Sequence, residues 1–149
     1  HNEGEMIRDA GSLTSAALTH KMPVLGMIYP RGPDLVPIES DKTNGVAHAA
    51  RLAWELGCHV AKVPWTGSAD SFHDVCSSVP IPVLIAGGQP NISFAQTLEI
   101  VETAISVGGA GVCMGRQIFE ANDRIDRIRA LRAVIHEGKT SNEAIQMMG

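Results

Sequence analysis

The strongest constraint on the fold is a unit that recurs four times: a short apolar stretch, a polar loop, and a segment with helical 3.6-residue periodicity. The apolar stretches predict strands at 23–29, 59–65, 81–88 and 109–116. The periodic segments predict helices at 4–20, 42–56, 69–78, 93–107, 122–136 and 141–148. Strands that alternate with helices and are apolar along their length predict a parallel sheet covered on both faces.

Two α/β architectures fit this order, a small open sheet or half of a closed (β/α)8 TIM barrel. Unusual residues at the carboxyl ends of successive strands favour the barrel, where that end carries the active site; they are Tyr29, Lys62, Gly87 with Gly88, and Gly115 with Arg116. A complete barrel takes about 250 residues. We therefore expect residues 1–149 to form the C-terminal half of one barrel domain, strands five to eight. The chain begins at His1 without an initiator methionine, so we expect residues before it.

Composition narrows the classes of partner. The chain has 149 residues, of which 44% are hydrophobic, and a formal net charge of -4. It has no basic field to attract nucleic acid, and no apolar run approaches the roughly 18 residues of a membrane span, so neither partner is predicted. The three cysteines form no C-x-x-C pair, which predicts reduced thiols in a cytoplasmic protein and no metal site.

Lys62 lies inside the apolar stretch "HVAKVPW", where a buried ammonium group would be costly. Period-two alternation puts Lys62 on the same strand face as Val60 and Pro64. One explanation is a side chain that extends to solvent from the strand end. The other is a Schiff-base nucleophile, because desolvation favours the neutral amine that attacks a carbonyl group.

Tyr29, the only tyrosine, ends the preceding strand. It is either a core aromatic whose hydroxyl bonds a backbone group or a general acid/base. In the second case its phenol, about 5 Å across from the neighbouring strand, exchanges protons with a carbinolamine or an aldol hydroxyl.

Glycines and an arginine follow the last two predicted strands, as Gly87–Gly88 and Gly115–Arg116. Taken separately they are simple turns and a helix-start arginine in a surface ion pair. Taken together in a barrel they occupy the place where backbone N–H groups and a helix N-terminus hold a phosphate, with the arginine adding charge-assisted bonds. The glycine-rich "VGGAGVCMG" precedes its strand and lacks G-x-G-x-x-G spacing, so no dinucleotide or other cofactor is predicted.

Four strand-end motifs, "MIYPRG", "AHAARLAWELGCHVAKVPWTG", "VPIPVLIAGG" and "GAGVCMGRQIF", in this order and spacing resemble the archaeal-type class I fructose-bisphosphate aldolase family. That family also includes 2-amino-3,7-dideoxy-D-threo-hept-6-ulosonate synthase and autoinducer-2 thiolase-like barrels. "MIYPRG" and "VIHEGKTSNEAI" are slightly closer to these branches than to the glycolytic aldolases. The resemblance implies that Lys62 forms the Schiff base and that Tyr29 is the general acid/base. It also implies a substrate phosphate site; the matching residues are Gly87, Gly88, Gly115 and Arg116.

The resemblance therefore implies a class I aldolase or transaldolase that acts on a phosphorylated ketose, such as fructose 1,6-bisphosphate or a deoxy-ketohexose phosphate, as a cytoplasmic homo-oligomer. The alternative is a non-catalytic phosphosugar-binding barrel in which Lys62 is only an electrostatic contact. The chain departs from the family's pattern at Gln89–Pro90, where relatives commonly carry a lysine, and at Pro64, where they carry an aromatic or small residue. The family's catalytic aspartate lies on the first barrel strand, outside these residues.

Overall fold

Helices and strands alternate along the computed structural model, which describes residues 2–31, 43–87 and 92–148. The strands are β1 (Leu25–Met27), β2 (Val60–Val63), β3 (Val83–Ala86) and β4 (Gly111–Cys113). The helices are α1 (Glu3–Thr19), α2 (Thr43–Glu55), α3 (Ala69–Ser77), α4 (Phe94–Ser106), α5 (Arg116–Phe119), α6 (Arg124–Glu137) and α7 (Ser141–Gln146). The four predicted strands and six predicted helices are all present.

The four strands form one parallel sheet in the order β1-β2-β3-β4. Each strand lies beside the next one in sequence, with a helix between them, as expected for consecutive βα units. The register places Met27 beside Lys62 and Lys62 beside Leu84. All strand carboxyl ends therefore meet at one edge of the sheet.

Local sequence signals explain where several helices begin and end. A serine or threonine hydroxyl accepts a hydrogen bond from the backbone N–H three residues on at the start of α3, α4 and α7, in each case within a capping box. Helix α6 stops at Gly138, whose φ of 66° lies in the left-handed region that glycine adopts without strain. These caps fix the helix starts to within one residue of the predicted bounds.

The hydrophobic core lies between the helices and one face of the sheet. The two central strands contribute alternate residues to it, Ala61 and Val63 from β2 and Val83 and Ile85 from β3. Phe72 of α3 is fully buried among them. The period-two alternation predicted for β2 is confirmed.

The opposite face of the sheet is not part of this core. Lys62 and Leu84 alternate with the core residues and remain partly exposed, and Met27 of β1 is 57% exposed. Because the strands are apolar along their length, the sequence had predicted that both faces of the sheet would be covered. In the described part of the chain only one face is buried, because four strands are too few to close around the other face.

The observed strands are shorter than predicted. β1 and β4 are the outer strands of the sheet and each pairs with a single neighbour, over three residues. The prediction also extended the fourth strand to Arg116, whereas this residue begins α5, a four-residue helix too short to show a periodicity. Among the described residues no helix is long and apolar enough to cross a membrane.

Candidate active site

Lys62 lies in the centre of the open face of the sheet. Its Nζ atom donates a hydrogen bond to the Sδ atom of Met27, on the adjacent strand, at 3.3 Å. Lys62 takes part in none of the ion pairs formed among residues 2–31, 43–87 and 92–148. A thioether is a weak acceptor and carries no charge, so this contact orients the amine toward β1 without forming an ion pair.

Tyr29 follows β1 by two residues and continues the face on which Met27 lies. Ile28 between them packs against the core, whereas the tyrosine is 38% exposed. The guanidinium of Arg31 stacks over the Tyr29 ring, 5.4 Å from its centroid. Tyr29 is therefore no core aromatic. Arg31 was not predicted to be a site residue. The signal that could have identified it as a neighbour of Tyr29 is its position two residues later in "MIYPRG".

Gly87 lies where the carboxyl ends of β3 and β4 approach most closely. Its N–H donates to the carbonyl of Cys113 at 3.2 Å. A Cβ atom built on Gly87 would lie 2.7 Å from the Cα of Met114, which no side chain tolerates without movement. Glycine is therefore required here by packing alone. Gly88, Gln89 and Pro90 lie outside the described residues.

Gly115 and Arg116 form the start of α5, directly after β4. The carbonyl of Gly115 accepts hydrogen bonds from the N–H groups of Ile118 and Phe119, both at 2.9 Å. A Cβ on Gly115 would have only a Phe119 ring atom at 3.8 Å near it. Arg116 is exposed and belongs to none of the ion pairs in the described part of the chain, so the surface ion pair considered for it is not formed there.

The structure thus brings the predicted residues to one edge in two groups. Tyr29 follows β1 and Lys62 lies in β2, whereas Gly87 follows β3, and Gly115 and Arg116 follow β4 at the start of α5. The first group offers an amine and a phenol. The second offers the guanidinium of Arg116, which suits an anion, whereas the N–H of Gly87 already donates to the carbonyl of Cys113.

The cysteines lie apart from the amine and phenol, and all three are free thiols. Burial raises the pKa of Cys76 to about 11 and also raises the pKa of Cys58, which disfavours the reactive thiolate in both. The described residues hold no group of three or more His, Cys, Asp or Glu side chains placed to bind a metal ion.

Residues 1–121 match the model of the DeoC/LacD family aldolase. A 2-amino-3,7-dideoxy-D-threo-hept-6-ulosonate synthase of Archaeoglobus fulgidus is 35% identical over 147 residues, covering 99% of this chain and 53% of the synthase. A 2-amino-4,5-dihydroxy-6-oxo-7-(phosphonooxy)heptanoate synthase of Streptomyces griseus is 32% identical, covering 96% of this chain and 52% of that enzyme. The chain spans about half the length of the curated relatives it matches.

Solved structures agree with these matches. The crystal structure of an archaeal fructose 1,6-bisphosphate aldolase superposes with a TM-score of 0.83 at 29% identity, covering 91% of this chain and 54% of the aldolase. A fructose-bisphosphate aldolase from Slackia heliotrinireducens gives a TM-score of 0.89 at 22% identity, covering 99% of this chain and 49% of that chain. The α/β fold class is confirmed: the chain is part of a TIM barrel.

Proposed function

The chain belongs to the DeoC/LacD aldolase family, and on this premise we propose that it is the C-terminal half of a class I aldolase or transaldolase barrel. The observation that carries the proposal is the environment of Lys62. Its amine lies on the open face of the sheet, beside a thioether and outside every ion pair of the described residues. No ion pair of the described residues engages this amine, so it is available to attack a carbonyl group.

Lys62 would begin the reaction by attack of its neutral amine on the carbonyl carbon of a ketose, and loss of water from the carbinolamine gives a protonated Schiff base. The bond between the α and β carbons then breaks. Its electron pair forms an enamine with the lysine nitrogen, and the β-hydroxyl gives up a proton to become an aldehyde carbonyl. Tyr29 takes and returns protons in these steps, because its phenol shares the face of Lys62.

The residues after β3 and β4 would hold the substrate phosphate. Gly87 follows β3, one strand away from the strand that carries the amine, and Gly115 and Arg116 follow β4, two strands away. Gly88 lies outside the described residues. A phosphate held there extends the sugar chain toward Lys62. Arg116, which forms no ion pair in the described structure, supplies charge-assisted hydrogen bonds.

The substrate class that we propose is a phosphorylated ketose. The names of the structural relatives support fructose 1,6-bisphosphate. The names of the curated relatives, a heptulosonate synthase and a phosphonooxyheptanoate synthase, support the synthesis of a seven-carbon compound, for which we propose a deoxy-ketohexose phosphate as the donor. We propose further that the enzyme is a homo-oligomer and that it is cytoplasmic, the second because its thiols are free.

Reductive trapping tests the proposal. In the intact enzyme, borohydride with a ketose phosphate should add the mass of the reduced substrate to Lys62, and Lys62→Met should abolish both the adduct and turnover. Lys139→Met is the matched control, because Lys139 also donates to a methionine sulfur, Sδ of Met147 at 3.4 Å, but lies beyond α6. An adduct on Lys21, Lys42 or Lys139 would contradict the mechanism. Phosphosugar binding without any adduct would favour the non-catalytic barrel.

A further inference from the structure

Arg127, in the first turn of α6, contacts two other helices and the N-cap of its own helix. Its Nη1 atom donates to the backbone carbonyl of Gln117 in α5 at 2.7 Å, and its Nε atom donates to Oδ1 of Asp123 at 2.9 Å. The guanidinium also lies over the ring of Phe94, 4.7 Å from the centroid. Only 25% of the side chain is exposed, so these contacts are shielded from solvent more than an ordinary surface ion pair.

These contacts connect the two segments that follow β3 and β4. Phe94 is the first residue of α4, which follows the β3 loop, and Gln117 is the second residue of α5, which follows β4. A second contact joins the same pair of helices, since the hydroxyl of Thr97 in α4 lies 2.7 Å from the side-chain amide oxygen of Gln117. Thr97 is 2% exposed.

The hydroxyl of Thr97 also bonds the backbone carbonyl of Ser93 at 3.1 Å. A hydroxyl has a single proton to donate, so the Thr97 hydroxyl shares it between the side-chain oxygen of Gln117 at 2.7 Å and the carbonyl of Ser93. Gln117 is thus held twice, by its side chain from α4 and by its main chain from α6.

We infer that Arg127 is a positioning residue for the phosphate site, acting through α5 on Gly115 and Arg116 and holding α5 against the start of α4 at Phe94. The inference rests on the proposed function, because it concerns the phosphate-binding residues proposed there. Arg127 would not itself touch the substrate. Small misplacements of binding groups cost large factors in affinity and rate, so a residue that fixes α5 relative to α4 sets how well Gly115 and Arg116 bind a phosphate.

Other arginines of α6 do not share this arrangement. Arg129 pairs only with Asp126, three residues earlier on its own helix, at 3.2 Å, and its side chain is 70% exposed. Arg129→Met therefore removes an arginine of the same helix without touching α4 or α5. This variant is the control.

The test compares two ketones in the intact enzyme, a ketose phosphate and the unphosphorylated dihydroxyacetone. Arg127→Met retains the apolar stem over Phe94 but lacks the donors to Gln117 and Asp123. We expect it to raise KM for the ketose phosphate, and the inhibition constant of inorganic phosphate, by about tenfold. The kcat of Arg127→Met for the ketose phosphate should change less than twofold. The borohydride trapping of dihydroxyacetone on Lys62 should also change less than twofold. Arg129→Met should leave every one of these values unchanged.

Thr97→Val provides a second test that removes the hydrogen bond to Gln117 with little change in shape. It should raise KM for the ketose phosphate while it leaves the trapping of dihydroxyacetone nearly unchanged. If Arg127→Met does not fold, Thr97→Val alone tests the inference. Equal losses for both ketones, or no rise in KM, would overturn the role of Arg127 while trapping on Lys62 still upheld the proposed chemistry. Absence of trapping in the unmodified enzyme would instead count against the proposed function itself.

Discussion

Tyr29 follows β1 and Lys62 lies in the neighbouring strand β2, and the two present different chemical groups, a phenol and an amine. We expect Tyr29→Phe to slow turnover of a ketose phosphate by about a hundred-fold to ten-thousand-fold, because proton transfer is lost while the nucleophile is intact. The Schiff base or carbinolamine trapped by borohydride on Lys62 should persist or accumulate. Steady-state rates and the mass of the trapped peptide measure the two effects. Full activity of Tyr29→Phe would show that its phenol has no part in the reaction.

The neighbours of these two residues were only partly predictable from the sequence. Period-two alternation correctly put Lys62 on the face opposite Ala61, because alternation is a local property of one strand. The contact of its amine with Met27 was not predicted. That contact depends on the register between β1 and β2, which pairs residues that lie 35 positions apart in sequence. This register is fixed only when the sheet is packed.

At the scale of the elements, Gly87 determines how closely the ends of β3 and β4 can approach. Gly87→Ala would place its methyl group 2.7 Å from the Cα of Met114, so the two strand ends must separate. We expect a loss of about 1–3 kcal/mol in the free energy of unfolding, the usual range for overpacking. Denaturant titration by circular dichroism measures this loss.

Gly115→Ala is the matched control for stability. Its φ of -120° lies outside the left-handed region that favours glycine, and the nearest atom to an added Cβ is 3.8 Å away. This variant should unfold within about 0.5 kcal/mol of the unmodified protein, as surface changes usually do. If Gly87→Ala were equally stable, the approach of β3 to β4 would not be the reason for glycine at position 87.

Helices were predicted more accurately than strands. The hydroxyl caps of α3, α4 and α7 are local signals that the sequence displays. Helix α5 was missed because four residues cannot show a 3.6-residue period, and its position depends on contacts with α4 and α6 that lie far along the chain. The residues proposed to bind the phosphate could therefore be predicted from the sequence, whereas the side chains that hold α5 in place could not.

For the whole molecule, the order of elements was enough to predict a parallel sheet, and the unusual residues at the strand ends were needed to favour a partial barrel over a small open sheet. Relatives and solved structures that match nearly all of this chain are about twice its length. What the sequence did not predict is how much of the sheet remains uncovered. Apolar residues on a strand have the same pattern whether the partner that covers them belongs to the same chain or not.

The 149-residue chain by itself should associate, because it exposes apolar side chains at both open edges of the sheet. Leu25 and Met27 of β1 are 40% and 57% exposed. Further exposed apolar residues lie in α1 and in the helices that follow β4; they are Met6, Leu13, Leu18, Phe119, Ile125 and Ile128. Apolar surface of this extent and unpaired strand edges both favour contact with another copy.

Sedimentation velocity of the chain by itself should therefore show dimers or larger species, and a hydrophobic dye should bind it. Leu25→Glu puts a charge on the open face beside β2 and should shift the distribution toward monomer and weaken dye binding. Met147→Glu is the control, since Met147 is 47% exposed but lies at the end of α7 away from both strand edges, so it should leave association unchanged. A compact monomer that binds no dye would mean that the sheet is covered in solution and that the half-barrel interpretation is wrong.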